Sequence, residues 1–202
     1  MTTLAELYDL TLVHTRRPEL QALTESVIRI ATLRAHHVDF FPRDLRVAQL
    51  NYSTVPSLPY WDFPDAGSVL LPRWRTIKGI FGLAAGGQFR IEELEWRETG
   101  DLYSSDGQLR SHLYTLLGDT LRCYSCAPPG LAEVYYYANP ITSTAGYSSW
   151  IADTYPDELA AWAATIVFSR TGFLEMAAKY MNDHVIPFKE TLLASHLTAE
   201  VN

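Results

Sequence analysis

Two apolar periods, one interrupting the other, restrict this chain more than any motif does. Over the first forty-odd residues Leu4, Leu7, Tyr8 and Leu12 recur at helical spacing, and Thr3 with Glu6 three residues on is a capping box. Pro18 is placed to open a second helix with the stripe Leu20, Leu23, Val27, Ile30 and Ala31, which stops near Phe40-Phe41-Pro42 because proline cannot continue it. From Leu45 to Tyr137 the spacing becomes strand-like, with Val47, Gln49 and Asn51 alternating against Ala48, Leu50 and Tyr52. A stretch rich in breakers follows (Pro56, Pro59, Pro64, Gly67) and reads as a loop holding Tyr60, Trp61 and Phe63. Further strands are expected at Arg73–Phe81, Phe89–Trp96, near Asp101–Ser104, at Gln108–Leu116, Thr120–Tyr124 and Ala132–Tyr137. Turns at Gly86-Gly87 and Asp106-Gly107 suggest antiparallel hairpins.

Helical spacing returns after Pro156. Thr154 and Asp157 are expected to cap a helix facing inward with Leu159, Ala163, Ile166 and Val167, and Gly172 to separate it from the next. That next helix carries Phe173, Ala177, Tyr180, Met181 and His184 until Pro187 kinks or ends it, and a last turn or two carries Leu192, Leu193 and Leu197. The expected fold is α+β: a helical bundle from the N- and C-terminal helices (1–44 and 138–202) with an inserted antiparallel β-rich region (45–137).

Composition removes several function classes. The 202 residues are 48% hydrophobic and 19% charged, enough to build a core, and disorder of the whole chain is not expected. Net charge is −7, and no basic run exceeds Arg16-Arg17, so tight binding to nucleic-acid phosphates is disfavoured. Met1-Thr2-Thr3 does not begin a signal peptide, and the apolar runs are too short for a bilayer. A soluble protein of a reducing cytosol is expected. Five Trp, twelve Tyr and eight Phe exceed what a small core needs, which favours a partner surface.

The search for chemistry returns little. No phosphate-binding loop and no nucleophile elbow is present, and Gly86-Gly87 precedes no helix. Cys123-x-x-Cys126 lacks a second ligand pair, and its strand-like flanks would point the thiols to opposite faces. His36 and His37 sit side by side on a helix, about a hundred degrees apart, and His184 and His196 are separated by Pro187. Glu92, Glu93 and Glu95 read as a solvated strand face, and Arg43 beside Asp39 and Asp44 as a helix exit. No catalytic residue, cofactor or metal site is expected.

Three segments carry a family resemblance. Arg17-Pro18-Glu19-Leu20 and Asp39-Phe40-Phe41-Pro42-Arg43-Asp44-Leu45 bracket the N-terminal helix. Leu71-Pro72-Arg73-Trp74-Arg75-Thr76-Ile77 leads into the strands. Tyr135-Tyr136-Tyr137-Ala138-Asn139-Pro140, with Ser149-Trp150-Ile151-Ala152 and Pro156-Asp157-Glu158-Leu159, returns to the C-terminal helices. In this order they resemble the head-to-tail adaptor (connector) proteins of tailed bacteriophages. The resemblance implies a non-enzymatic virion protein of the portal vertex or neck, made in the bacterial host's cytoplasm. It implies a ring, usually of twelve copies, beneath the portal protein, extending the DNA channel and offering a platform to a tail or nozzle protein. Genomic DNA would pass without sequence-specific binding, and no membrane is involved.

Carried to this chain, the resemblance makes Phe188, Leu192, Leu193 and Leu197 candidates for portal contact, although the same stripe suits packing on its own bundle. Tyr60, Trp61 and Trp74 become candidates for tail contact, or else pack the sheet. A neck stopper or tail-completion protein is the runner-up. A small cytosolic enzyme or ligand-binding domain, with the Tyr60-Trp61-Phe63 loop as a lid, is the reading from a different class.

Overall fold

The computed structural model describes residues 1–52, 60–63, 71–83, 90–98, 112–124 and 130–200. It divides into two compact units, Met1–Asp44 with Asn139–Asn202, and Leu45–Ala138. Each encloses a hydrophobic core of its own.

In the first unit α1 (Leu4–Thr15) starts on the Thr3 capping box. Glu6 N–H donates to the Thr3 hydroxyl at 3.2 Å and Thr3 N–H donates to the Glu6 carboxylate at 2.7 Å. It ends on Arg16, whose left-handed backbone (φ 53) lets its N–H reach the Leu12 carbonyl at 2.7 Å. Pro18 opens a 3-10 turn, Pro18–Leu20, and not the helix itself; α2 runs Gln21–His36. Its buried side includes Val27, Ile28, Ala31 and Ala35, while Leu23 and Ile30 are only partly covered. Ser149 caps the short α3 (Trp150–Thr154), and α4 (Pro156–Arg170) begins on Pro156 at its first position. Thr154 does not cap α4 as expected: its hydroxyl donates back to the Trp150 carbonyl at 2.8 Å.

Every residue of α4 from Leu159 to Phe168 is buried. Such a helix is a central post, and Ala160, Ala161, Ala163 and Ala164 let α1 and α2 approach it closely. Burying a side chain such as Leu7, Ile28 or Leu159 completely contributes about 2 kcal/mol each. Gly172, at φ 84, turns the chain from α4 into α5 (Leu174–Tyr180) as expected. Pro187 does not end the last helix. A π-turn at Met181–Val185 leads directly into α6 (Ile186–Glu200), and its wider winding makes room for the proline ring and its missing N–H.

The second unit is one seven-stranded sheet in the order β1-β7-β3-β4-β5-β6-β2. The strands are β1 (Leu45–Tyr52), β2 (Trp61–Phe63), β3 (Trp74–Leu83), β4 (Arg90–Trp96), β5 (Leu113–Leu117), β6 (Thr120–Tyr124) and β7 (Gly130–Ala138). Its neighbours pair antiparallel except β4 and β5, which run parallel with Glu95 opposite Leu113 and Trp96 opposite Tyr114. Along β7, Ala132, Val134, Tyr136 and Ala138 are buried, and Glu133, Tyr135 and Tyr137 between them are partly exposed.

These findings overturn the expected architecture. The chain is α+β, but its sheet is a substantial, mixed half-barrel and not an antiparallel insert in a bundle. Nor are the helices simply the two chain ends, because the non-helical return segment 139–149, with its Ile141–Ser148 bridge, belongs to their unit. The expected antiparallel pairing of sequence neighbours holds for β3 with β4 and for β5 with β6, but fails between β4 and β5, for a physical reason. A hairpin signal reads only local adjacency, whereas the stretch from 97 to 112 is long enough to carry the chain over into a parallel pairing. The expected strand near Asp101–Ser104 and the Gly86-Gly87 and Asp106-Gly107 turns lie outside the described residues.

Candidate functional site

The helical unit contains a polar cluster that sequence reasoning missed. His36, at the last turn of α2, lies 2.9 Å through Nδ1 from both carboxylate oxygens of Asp44, and Nε2 lies 2.9 Å from the Ser149 hydroxyl. The Trp150 indole N–H donates to Asp44 Oδ1 at 2.9 Å, and Ala152 N–H donates to Ser149 Oγ at 3.2 Å. An ionised carboxylate only accepts, so Nδ1 carries the proton it shares with Asp44; in a neutral imidazole Nε2 then accepts from the Ser149 O–H. Phe41 packs edge-on to the same indole at 5.3 Å, and the Arg43 guanidinium lies 5.0 Å from its centre. Next in the chain, His37 Nε2 meets the Asn139 side-chain oxygen at 2.7 Å.

Asp44, His36 and Ser149 stand in the order of a hydrolytic relay, yet they are 4%, 1% and 3% exposed. The Ser149 oxygen already caps α3, and the nearby cleft of about 110 Å³ is lined by Phe41, Arg43, Trp150 and Tyr155 among others, not by Ser149 or His36. A substrate carbonyl has no approach to that oxygen. What the cluster does is tie three elements at the place where the chain leaves the helical unit, while His37 ties the residue at which it returns. The legible signal was His36 continuing the buried Ile28–Thr32–Ala35 face, a position where an imidazole needs partners.

The contact candidates fall in different places. Phe188 and Leu192 come together inside the helical core, Phe188 against Tyr155 at 5.6 Å and Trp162 at 6.2 Å. Leu193 points outward, and the Leu197 side chain lies outside the described residues. The four therefore do not form one exposed stripe. Tyr60 is half-buried, with the Arg122 guanidinium 3.9 Å from its ring centre and Tyr124 edge-on at 5.5 Å. Trp74 is half-buried against the sheet core. Trp61 pairs through its backbone with Cys123, and its side chain lies outside the described residues. The expected Tyr60-Trp61-Phe63 loop is thus largely strand β2, with Phe63 in the core. Cys123 is buried in β6, and Cys126 is outside the described residues.

The apolar groups left uncovered gather where α1 ends and α5 begins. Val13 is 71% and Leu174 67% exposed, and Phe173 and Met176 are exposed beside them. A cleft of about 430 Å³ opens there, floored by Phe168, Met176 and Tyr180 and rimmed by Arg16, Arg17 and Phe173. Arg17 lies 5.2 Å over the Phe173 ring and pairs with Glu19, while the exposed Arg16 side chain has no partner among the described residues. Met181, Ile186 and Leu193 continue the exposed apolar groups along the same helix. The extra residue of the π-turn brings Ile186 and Leu193 back to the side of Leu174 and Met181, where an unbroken α-helix would turn them away.

Among the described residues no group of His, Cys, Asp and Glu could hold a metal ion, and no helix is long and apolar enough to cross a membrane. No protein-family model matches the chain, and no curated protein sequence does.

Proposed function

We propose that the chain is a head-to-tail adaptor of a tailed bacteriophage, a non-enzymatic ring component beneath the portal that extends the DNA channel and carries the tail or nozzle protein. The observation that carries this reading is the number of large apolar groups that the helical unit leaves exposed: Val13, Phe173 and Met176 at the cleft, and Leu174, Met181, Ile186 and Leu193 from α5 to α6. An assembly subunit covers such exposed apolar groups with its neighbours. The segments that carry the family resemblance also support it by their structural positions. Pro156-Asp157-Glu158-Leu159 starts the central helix, Asp44 and Leu45 mark the exit from the helical unit, and Tyr135–Ala138 is the returning strand. A chain of net charge −7 suits a conduit that DNA slides through.

The test is the solution mass of the purified protein, alone and mixed with the portal protein of the same phage. A ring-sized complex is expected. Truncation before Pro187 would remove Phe188 and Leu192 from the core, so docking is better probed by Leu193→Glu, which alters only exposed surface. A protein that stays monomeric with the portal overturns the adaptor reading.

A further inference from the structure

A ring repeats one heterologous contact, so each copy must carry two different surfaces that fit one another. The cleft between α1 and α5 is one such surface: it is lined by apolar groups, its Arg17 and His14 face Glu19 and Asp157, and the exposed Arg16 guanidinium is unpartnered among the described residues. The outward face of the sheet has the opposite character. Register places Val47 beside Tyr135, and Phe81 between Glu133 and Glu93, so these residues share one face across β1, β7, β3 and β4. Val47 is half exposed, Glu93 is exposed, and Phe81 stands edge-on to Tyr135 at 5.5 Å. Aromatic carbon and carboxylates lie together there, with Arg75 near Tyr137 as a cation on the same sheet.

We propose that the cleft receives the acidic, aromatic sheet face of a second copy of this chain. The contact sets Phe173 and Met176 against Val47 and Phe81, and Arg16 against Glu93. Apolar area supplies the adhesion and the opposite charges set the register, as at other interfaces of this composition. The inference rests on the adaptor reading for its ring geometry, but the pairing of these two surfaces can be tested apart from the portal.

The experiment uses two full-length variants, Arg16→Glu and Glu93→Lys, each an exposed side chain on an otherwise unaltered fold. Either alone sets like charges against each other, and its self-association, measured as solution mass with and without portal, should weaken by at least about tenfold. Mixed in equal amounts the two variants can alternate, so that every cleft meets a sheet face of opposite charge, and assembly should return to near the level of the unaltered protein. Restoration in the mixture also proves that the contact is between copies. Assembly of both variants at the unaltered level overturns the pairing, as does weakening that mixing fails to restore. If the unaltered protein rings on the portal while the swaps have no effect, the adaptor reading stands and this inference falls. If the swaps behave as expected but the portal is ignored, the reverse holds.

Discussion

The helical unit buries a hydrogen-bonded polar cluster, although the Thr15 hydroxyl and Arg29 Nε are buried there without a partner, while the sheet unit pairs its best-formed charges near the surface. In the first, His36, Asp44 and Ser149 are buried and joined by hydrogen bonds of 2.9 Å, and Thr11, Thr24, Thr32 and Thr165 turn their hydroxyls back onto carbonyls four residues earlier. In the second, the core is apolar and aromatic, and the best-formed ion pair, Arg122 with Asp62, lies near the surface. A buried polar cluster stabilises little on balance but fixes one arrangement, since each member left alone is costly. An apolar sheet core stabilises in proportion to area and tolerates small rearrangement. The two halves should therefore fail differently.

The sharpest break is Asp44→Ala. It takes the carboxylate acceptor from the buried His36 Nδ1–H and from the part-buried Trp150 indole N–H, and about 4 kcal/mol should be lost. Hydrogen exchange should accelerate in α2 and α3 while β3 and β7 keep their protection. A loss below about 1 kcal/mol would show that the cluster is not a clasp. Next comes Leu121→Ala in the sheet core, at about 3 kcal/mol, with protection lost in β5 and β6 and retained in α4. Equal loss of protection in both units from either substitution would mean that they unfold as one, and the contrast between them would fail.

The same division explains what was legible in the sequence. The Thr3–Glu6 box and the Gly172 turn depend on residues within one turn of each other, and such signals survive any tertiary context. The parallel β4–β5 pairing depends on where a chain returns after a long connection, and alternation is blind to that. Tyr60, Trp61 and Phe63 read as loop because prolines flank them, yet a short edge strand tolerates prolines just outside its ends. The His36 cluster was hidden because Asp44 and Ser149 stand eight and more than a hundred positions away, and a lone histidine in a stripe says nothing about which carboxylate folding will supply. The exposed end of α1 and α5 was equally hidden. Phe173 and Met176 have a spacing that also suits a core, yet both are exposed, Phe173 at the start of α5 and Met176 within it.

A smaller effect separates the units by pH. Burial pushes the Tyr147 phenol in the helical unit and the Tyr114 phenol in the sheet up to about 12. A raised pKa means the folded state holds its proton more tightly, so this stability is complete below pH 10 and is lost as pH rises towards 12. Thr32 spends its own O–H on the Ile28 carbonyl, so Tyr147 O–H is the donor in their 2.7 Å bond. Tyr147→Phe should cost about 1 kcal/mol at neutral pH and flatten the alkaline decline of the helical unit alone. A decline of unchanged steepness in α2 would assign the titration to another group.

The smallest expected effect is on the Arg122–Asp62 pair, and it tests whether the sheet's outward charges matter at all. The geometry is bidentate, with Nε–Oδ1 at 2.6 Å and the second nitrogen to Oδ2 at 2.8 Å, and it holds the guanidinium charge firmly. Yet the two side chains are 24% and 38% exposed, so water and salt screen them, and Asp62→Asn should cost only about 0.5 kcal/mol. Arg122 also covers the Tyr60 ring, a contact that Asp62→Asn leaves in place and salt weakens less. The difference between the unaltered protein and Asp62→Asn should therefore vanish by about 1 M salt, measured as denaturant midpoints of the sheet unit. A difference that persists there would place this pair with the buried clasp of the helical unit, and the contrast between the halves would lose its simplest form.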